Sequence, residues 1–255
     1  MRKVIVITGA SGGIGAALAR EMGKDGHHLV LAARRQEELE QVARQAAEDA
    51  IAVPTDVTRR EEVERLRDRA LEAFGGIDVW VNNAGRGISK RVIELTDADF
   101  DEMMTVNVKS ALYGMQAVVP YFQQRGSGHL INVSSFLGRV PLAPIRSAYN
   151  AAKAALNALT ANLRVDLRAE HPGIHVSLVM PGVVTTEFAR NALGSSPGSS
   201  YRPPASAAQP QTAEEVAAAI ARLVEHPQAE VFTNPAQIPI ARRYYEDVAA
   251  FEEQT

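Results

Sequence analysis

Short, nearly continuous apolar runs alternate along the chain with longer segments in which apolar residues recur at helical spacing. The runs are rich in Val, Ile and Leu, which is typical of parallel strands buried on both faces. This alternation predicts an α/β fold in a single domain, a doubly wound parallel sheet of about seven strands with helices on both faces. Strands are expected at 3–8, 29–32, 51–54, 78–81, 129–133, 175–180 and 230–232, and helices near 14–24, 36–49, 59–73, 97–123, 148–170 and 213–225.

One segment interrupts the alternation. Residues 194–211, GSSPGSSYRPPASAAQPQ, have the composition of a flexible linker, but too few residues follow them to form a typical second domain. Because long loops inside compact domains often cover a functional site, we expect a flexible substrate loop or lid at 187–211. A plain surface excursion is the alternative. The chain from 1 to 255 is then one domain that ends in a tail at 233–255.

Composition and charge narrow the range of partners. The net charge of −3 and the interspersed charges do not indicate binding to nucleic acid or to a membrane. The absence of cysteine excludes disulfides and thiolate metal sites, and the histidines and carboxylates show no metal-ligand spacing, so we predict no metal. The N-terminal apolar run is too short for a signal peptide, and no stretch is long enough to span a bilayer. We therefore expect a soluble cytoplasmic protein.

Three glycines, Gly9, Gly13 and Gly15, follow the first predicted strand and open the first predicted helix. Glycines at such a turn let the backbone approach a pyrophosphate, whose charge lies at the helix N-terminus. The spacing is G-x-x-x-G-x-G rather than G-x-G-x-x-G, and a tight strand-to-helix connection is the structural alternative. The position after the first strand favours a dinucleotide site in a Rossmann-type fold.

The end of the second predicted strand indicates which dinucleotide would bind. An acidic residue there would bind the ribose 2′-hydroxyl of NAD, whereas an arginine accommodates the 2′-phosphate of NADP. Arg34 and Arg35 follow this strand, and no carboxylate occurs before Glu37. The alternative is a solvated helix start, although cations are disfavoured at a helix N-terminus. The pattern favours NADP(H), with NAD(H) as the less favoured choice.

Tyr149 and Lys153 stand four residues apart at the start of a long predicted helix, on one helical face, and Ser135 lies upstream. A phenol titrates at about pH 10, and a neighbouring ammonium favours its phenolate. The pair could therefore act as an acid/base on a carbonyl or an alcohol. A serine hydroxyl could stabilise the charge that develops on the substrate oxygen. Taken singly, each of these residues also has a purely structural explanation.

These residues belong to an ordered set of motifs. TGASGGIG spans 8–15, Asp56-Val57 follows the third strand, NNAG spans 82–85, Asn107 lies within TVNV, SSFLG spans 134–138, YNAAK spans 149–153 and PGVVTT spans 181–186. Over roughly residues 3–190 the chain therefore resembles the short-chain dehydrogenase/reductase family, because the motifs occur in the order found in that family.

The resemblance implies a division of labour among four residues. Tyr149 would be the acid/base, and Lys153 would lower its pKa and bind the nicotinamide ribose. Ser135 would polarise the substrate oxygen. Asn107 would support a proton relay by holding a water, although it could instead simply bridge backbone groups.

Two departures from the family pattern affect this assignment. Many members place the serine one residue closer to the tyrosine, where this chain has Phe136, which cannot donate a hydrogen bond. Ser135 keeps the role because it heads the S-x-x-G pattern, and Ser134 is the alternative. NADP-preferring members often carry a basic residue before the second glycine of the turn, where this chain has Gly12. The preference for NADP therefore depends on Arg34, with Arg35 in support.

The resemblance also implies the residues of a cofactor site and of a substrate pocket. Besides the tyrosine and the lysine, the cofactor residues are expected to be Gly9, Ser11, Gly13, Ile14, Gly15, Arg34, Arg35, Asp56, Val57, Asn83, Ala84, Gly85, Pro181, Gly182 and Thr186. The substrate pocket is expected to contain Ser135, Phe136, Val183 and Phe188. Further pocket candidates are Ile88, Val140, Leu142, Ile145, Tyr201 and the arginines at 86, 139, 146 and 202.

The function implied is that of an NADP(H)-dependent oxidoreductase, which interconverts a carbonyl and a secondary alcohol of a small molecule by hydride transfer. A non-catalytic dinucleotide-binding sensor or regulatory protein is the alternative, but such proteins typically lose the tyrosine or the lysine. In the family, helices corresponding to 97–123 and 148–170 commonly pair across a dimer axis, so a homodimer is expected. The tail at 233–255 differs from that of many tetrameric relatives, which leaves a tetramer open, and it could cover the cleft or an interface.

Overall fold

The computed structural model describes residues 2–188, 191–194 and 209–254. Within these ranges a seven-stranded parallel sheet forms the centre of the molecule, in the order β3-β2-β1-β4-β5-β6-β7. The strands are β1 Val4–Thr8, β2 His28–Ala33, β3 Ala50–Pro54, β4 Val79–Asn82, β5 Gly128–Val133, β6 Ile174–Met180 and β7 Glu230–Phe232. The predicted doubly wound α/β fold in one domain is confirmed.

Helices cover both faces of the sheet. They are α1 Gly13–Lys24, α2 Gln36–Ala46, α3 Arg60–Phe74, α4 Asp97–Met104, α5 Ser110–Arg125, α6 Ser147–Arg168, α7 Ala213–Glu225, α8 Gln237–Glu246 and α9 Val248–Glu252. On one face, α1, α2 and α7 pack into a first apolar layer, and on the other, α3, α5 and α6 pack into a second. None of the described helices combines the length and the apolarity needed to cross a membrane.

The central strand shows why its sequence is apolar without interruption. β1 lies between β2 and β4, and its side chains alternate between the two layers. Ile5 and Ile7 belong to the first layer, whereas Val4 and Val6 belong to the second. Since each of these side chains faces one layer or the other, polar residues are excluded from the run.

The strand order places a crevice at one edge of the sheet. The chain builds β1, β2 and β3 outwards in one direction and then returns to add β4 on the other side of β1. The connections after β1 and β4 therefore diverge, and ligands of such sheets bind in the crevice between them, at the carboxyl ends of the strands. The motifs that begin at Gly9 and at Asn83 follow these two strands directly.

The single helix predicted at 97–123 is wrong in one detail. A π-helical turn at Thr105–Lys109 separates α4 from α5, and Asn107 lies within it. A widened turn of this kind is often found at functional sites. The predicted helix at 36–49 also ends earlier, at Ala46, because the chain must turn before β3 begins at Ala50.

The tail, for which the sequence patterns predicted no helix, contains α8 and α9. Ala241 of α8 and Phe251 of α9 are buried against Phe136 and Val140, which follow β5. The described tail therefore packs on the segment that comes after Ser135. It lies next to one of the predicted catalytic residues.

Candidate active site

The glycine-rich turn after β1 is built at positions where a side chain does not fit. Gly9 has a φ of 68°, and a Cβ on it would lie 2.8 Å from the Cα of Ala84. A Cβ on Gly15 would lie 2.4 Å from the carbonyl oxygen of Gly9. Asn83 donates its Nδ2 to the carbonyl of Thr8 at 2.9 Å and so ties the end of β4 to the end of β1. These glycines let the turn pack closely, and no side chain caps the N-terminus of α1, so the residues present fit the pyrophosphate of a dinucleotide.

The segment that follows β6 faces this turn. The carbonyl of Pro181 accepts a hydrogen bond from the backbone N–H of Phe136 at 2.8 Å, and Val184 pairs with Gln211 in a short parallel bridge. A Cβ on Gly13 would lie 3.6 Å from Cγ2 of Thr186. The residues from Pro181 to Thr186 thus cross from the end of β5 to the glycine-rich turn.

Arg35 lies against the outer side of the same turn. Its Nη2 donates to the Oγ of Ser11 at 3.1 Å, and its Nη1 lies 3.4 Å from Glu38. A Cβ on Gly12 would approach Nη2 to 3.3 Å. Arg35 directly precedes α2, whose N-terminus has no side-chain cap, and the two glutamates of the first turn of α2 balance the charge of Arg35 in part. The turn therefore carries a positive charge and a hydroxyl at one edge.

Asp56 follows the end of β3, beside Arg34. Its Oδ1 accepts hydrogen bonds from the N–H of Thr58 at 3.0 Å and from the Oγ1 of Thr58 at 2.7 Å. Burial acts to raise the pKa of Asp56, but these hydrogen bonds and the charges of Arg34 and Arg59 outweigh it and leave the pKa lowered. The carboxylate is therefore charged and available as an acceptor next to two arginines.

The Tyr149–Lys153 pair lies in the first turns of α6, and both side chains are buried, with 8% and 3% of their surface exposed. Nζ of Lys153 donates to the carbonyl of Val133 at 3.0 Å and lies 5.7 Å from the centroid of the Tyr149 ring. Burial lowers the pKa of Lys153 to about 8. A Cβ on Gly85 would lie 3.6 Å from this ammonium, so the end of the NNAG motif reaches the pair.

Burial raises the pKa of Tyr149 to about 12, while a hydrogen bond with Ser135 and the charge of Arg146 act to lower it. This differs from the expectation that Lys153 depresses the pKa of the tyrosine. The reason is geometric, since the ammonium of Lys153 donates to the carbonyl of Val133 and desolvation of the phenol dominates. The two groups that favour the phenolate are Ser135 and Arg146.

The two adjacent serines have different environments. Ser135 Oγ accepts a hydrogen bond from the N–H of Leu137 at 3.2 Å, which leaves its own proton for the bond with Tyr149. Ser134 Oγ lies 2.5 Å from the Oδ1 of Asn157 and 3.3 Å from the carbonyl of Lys153, so it serves to hold α6 against β5. The geometry therefore favours Ser135 over Ser134 as the residue that contacts a substrate.

Asn107 bridges backbone groups, in agreement with the structural alternative. Its Nδ2 donates to the carbonyls of Arg86 at 2.9 Å and of Met103 at 3.1 Å, and its Oδ1 accepts from the N–H of Arg86 at 3.2 Å. These bonds hold the segment after β4 against the π-helical turn. A Cβ on Gly85 would lie 2.9 Å from the same Oδ1, which places Asn107 and Lys153 on one small stretch of backbone. A role in proton relay stays a prediction.

The residues predicted to form a substrate pocket do not share one environment. The ring of Phe188 meets that of Tyr149 edge to face at 5.6 Å, and Val183 is partly exposed. Phe136 is buried instead and contacts Phe232 at a ring distance of 6.1 Å, so it belongs to the apolar cluster beneath the tail. Residues 189–190 and 195–208 of the predicted lid, together with Tyr201 and Arg202, lie outside the described residues.

Gln237, which the sequence did not indicate, packs against Gly182, a predicted cofactor residue. It opens α8, it is 2% exposed, and its Nε2 would lie 2.5 Å from a Cβ on Gly182. Its Oε1 has no hydrogen-bond partner among the described residues. No local pattern could have revealed it, because its contact with Gly182 depends on how the tail packs. In the described parts of the chain, no group of three or more His, Asp or Glu is placed to hold a metal ion.

The sheet is doubly wound, and the glycine-rich turn lies at the point where its strand order reverses. A buried tyrosine–lysine pair lies beside that turn. This combination is typical of a dinucleotide-binding oxidoreductase. A family model described as short chain dehydrogenase matches residues 3–195. The chain therefore belongs to the short-chain dehydrogenase family, and it is an oxidoreductase of that type. The predicted resemblance is confirmed at the level of the family.

Individual relatives agree with this placement. An uncharacterized oxidoreductase of Staphylococcus aureus strain N315 is 39% identical over 185 residues, which cover 72% of this chain and 79% of the relative. A short chain dehydrogenase/reductase from Burkholderia phymatum, solved in complex with NAD, is 30% identical and has a TM-score of 0.87, over 98% of this chain and 95% of the other. A short chain dehydrogenase from Burkholderia cenocepacia J2315, in complex with NADP, is 28% identical with a TM-score of 0.82, over 99% and 97%.

Proposed function

We propose that the protein is an NADP(H)-dependent oxidoreductase that interconverts a carbonyl and a secondary alcohol of a small molecule. The observation that carries this proposal is the buried pair of Tyr149 and Lys153 at the start of α6, with Nζ of Lys153 5.7 Å from the centroid of the phenol ring. Ser135 is also buried, and it favours the phenolate of Tyr149. No observation favours a non-catalytic sensor, since the tyrosine and the lysine are both present and lie side by side.

The proposed chemistry assigns one task to each side chain. Ser135 donates to the substrate oxygen and stabilises the charge that develops on it. Tyr149 gives a proton to that oxygen in reduction and takes it back in oxidation. Lys153 holds a positive charge near the phenol and would bind the nicotinamide ribose. When bound, the dinucleotide supplies the hydride or accepts it.

Burial of the tyrosine has a consequence for this chemistry. A phenol with a pKa of about 12 is protonated at neutral pH, so the proton that reduction delivers to a newly formed alkoxide is present on Tyr149. Oxidation requires the phenolate, which the neighbouring positive charges and the Ser135 hydroxyl must stabilise.

The proposed preference for NADP(H) rests on this chain's own residues, because the solved relatives include one with NAD and one with NADP. Arg35 and Ser11 form a positive, hydrogen-bonding edge on the glycine-rich turn, and Arg34 lies beyond it next to Asp56. A guanidinium and a hydroxyl at this edge would bind a 2′-phosphate, whereas NAD would gain nothing from them. NAD(H) is the less favoured alternative.

A homodimer and a cytoplasmic location belong to the same proposal. Val165 on α6 is 71% exposed, although it lies on a helix whose counterparts are expected to pair between subunits. The proposal of a dimer rests on the family resemblance of this helix and of α4 and α5, and Val165 is one exposed apolar side chain that such pairing would cover. A tetramer is left open.

The test of the proposed reaction is the variant Tyr149→Phe. We expect kcat for carbonyl reduction by NADPH to fall by at least ~10²-fold, since general acid catalysis contributes about 10²- to 10⁴-fold. The dissociation constant of NADPH should stay within about twofold, because the ring and its packing are retained. Tyr121→Phe is a matched control, because that hydroxyl contacts the N–H of Ile77 at the opposite end of the sheet. Unchanged turnover in Tyr149→Phe would refute the assignment.

A further inference from the structure

Three segments that are distant in sequence meet beside Tyr149. The stretch 87–90, which follows β4, pairs on one side with 191–194 through a hydrogen bond from the N–H of Ser89 to the carbonyl of Leu193 at 2.7 Å. On its other side, the N–H of Lys90 donates to the carbonyl of Ile145 at 2.8 Å. These bridges join the loops after β4, β5 and β6 over the start of α6. Side chains at the junction are therefore fixed from several directions.

Arg146 occupies this junction. It directly precedes α6, at the N-cap position of the helix, and lies three residues before Tyr149 in the chain. Its Nη1 donates to the carbonyl of Ile88 at 2.9 Å and lies 3.2 Å from the Oγ of Ser89. The guanidinium is consequently held by the backbone after β4 instead of moving freely in solvent.

The guanidinium and the phenol have a common neighbour, Phe188. A Cβ on Gly87 would lie 3.2 Å from Nη1 of Arg146 and 2.9 Å from Cε1 of Phe188, and the Phe188 ring in turn meets that of Tyr149 at 5.6 Å. Arg146, Phe188 and Tyr149 therefore surround one small volume. In this position the positive charge favours the phenolate and opposes the effect of burial on the pKa of Tyr149.

We propose that Arg146 is a positioning residue of the active site, whose fixed guanidinium stabilises the phenolate of Tyr149 through space. The proposal rests on the proposed function, because it concerns the acid/base step of that reaction. It places the cation that favours the phenolate at the junction of the three loops, because the ammonium of Lys153 donates to the carbonyl of Val133 instead.

Two other cations near this junction belong to ion pairs. Arg86 is paired with Glu102, and Lys90 is paired with Asp99, so each cation comes with a compensating carboxylate. Hydrogen bonds from Lys90 and Thr96 lower the pKa of Asp99 to about 2, so that this pair keeps both charges at neutral pH. Glu187, which precedes Phe188, is a carboxylate that would oppose the influence of Arg146.

Two substitutions separate the charge of Arg146 from its hydrogen bonds. Arg146→Gln removes the charge but keeps a donor for the carbonyl of Ile88, whereas Arg146→Lys keeps the charge on a flexible chain. The measurement is the pH dependence of kcat/KM for oxidation of simple secondary alcohols, cyclohexanol among them, at saturating NADP⁺. The NADPH dissociation constant and Tm of each variant show whether the fold and the cofactor site are intact.

We expect the rising limb of the profile for Arg146→Gln to move to higher pH by ~0.5 to 1, which lowers kcat/KM by about 3- to 10-fold below the limb. Arg146→Lys should keep the wild-type limb, with kcat/KM within about twofold. The proposal is overturned if the pH profile of Arg146→Gln superimposes on that of the wild type. It is also overturned if kcat/KM of Arg146→Lys falls as much as that of Arg146→Gln at every pH. Absence of wild-type turnover with every alcohol and ketone tried would refute the proposed function and this inference together, whereas an active enzyme with an unmoved limb refutes the inference alone.

Discussion

The cofactor side and the substrate side of the cleft are built in different ways. On the cofactor side, backbone packs on backbone, as where Gly9 leaves no room for a Cβ against Ala84. On the substrate side, isolated bridges and side chains join loops from distant parts of the chain, as where Arg146 holds the carbonyl of Ile88. The first arrangement is rigid and tolerates no added atom. The second depends on a few side-chain contacts that can be exchanged.

This difference has a functional meaning. A dinucleotide presents the same pyrophosphate to every enzyme that uses it, so a fixed cradle of backbone N–H groups suits it. Substrates vary, and loops carried by a rigid scaffold can change without disturbing the sheet. The buried pair of Tyr149 and Lys153 lies at the boundary, on a helix that contacts both sides.

The substitution expected to disturb the cofactor side of the cleft most is Gly9→Ala. Its φ of 68° costs a side-chain-bearing residue about 1 to 2 kcal/mol, and displacement of Ala84 adds roughly 1 to 3 kcal/mol. We expect a marked loss of stability in urea unfolding and loss of detectable NADPH binding. Gly26→Ala is the matched control, because Gly26 has a φ of 74° but a Cβ added there would meet no atom within 4 Å. The free energy of unfolding of Gly26→Ala should fall only by the cost of the backbone conformation, and this variant should bind NADPH normally. Equal effects of the two substitutions would contradict the close-packing explanation.

The same contrast decides what the sequence could predict. The strands, the glycine-rich turn and the Tyr149–Lys153 spacing are local patterns, so they could be recognised without knowledge of the fold. The π-helical turn around Asn107 could not, since it depends on hydrogen bonds to Arg86. Nor could the burial of Phe136 under the tail, or the contact between Gln237 and Gly182, because these require the packing of elements distant in sequence.

Substitutions of Ser134 and Ser135 test which of the two adjacent serines acts in catalysis and which holds the structure. Ser135→Ala should lower kcat by about 10²- to 10³-fold, since it removes a donor to the developing charge, with little change in Tm. Ser134→Ala should do the reverse. It leaves the Oδ1 of Asn157 without that donor, which costs about 1 to 3 kcal/mol of stability, while kcat stays within a few-fold. Steady-state kinetics and thermal unfolding of both variants provide the comparison, and a larger kcat loss in Ser134→Ala would transfer the role to Ser134.

The smallest of these effects concerns the choice between the two dinucleotides. Arg35→Ala should weaken NADPH binding by about 10- to 100-fold, because a charged hydrogen bond contributes about 1.5 to 3 kcal/mol, and should leave NADH binding nearly unchanged. Arg44→Ala is the control, since Arg44 is an exposed arginine of the same helix, paired with Glu40 and away from the glycine-rich turn. Titration of each variant with NADPH and with NADH gives the two dissociation constants. If Arg35→Ala weakened both dinucleotides equally, Arg35 would act by holding Ser11 and the turn in place, and the preference for NADP would have to come from Arg34.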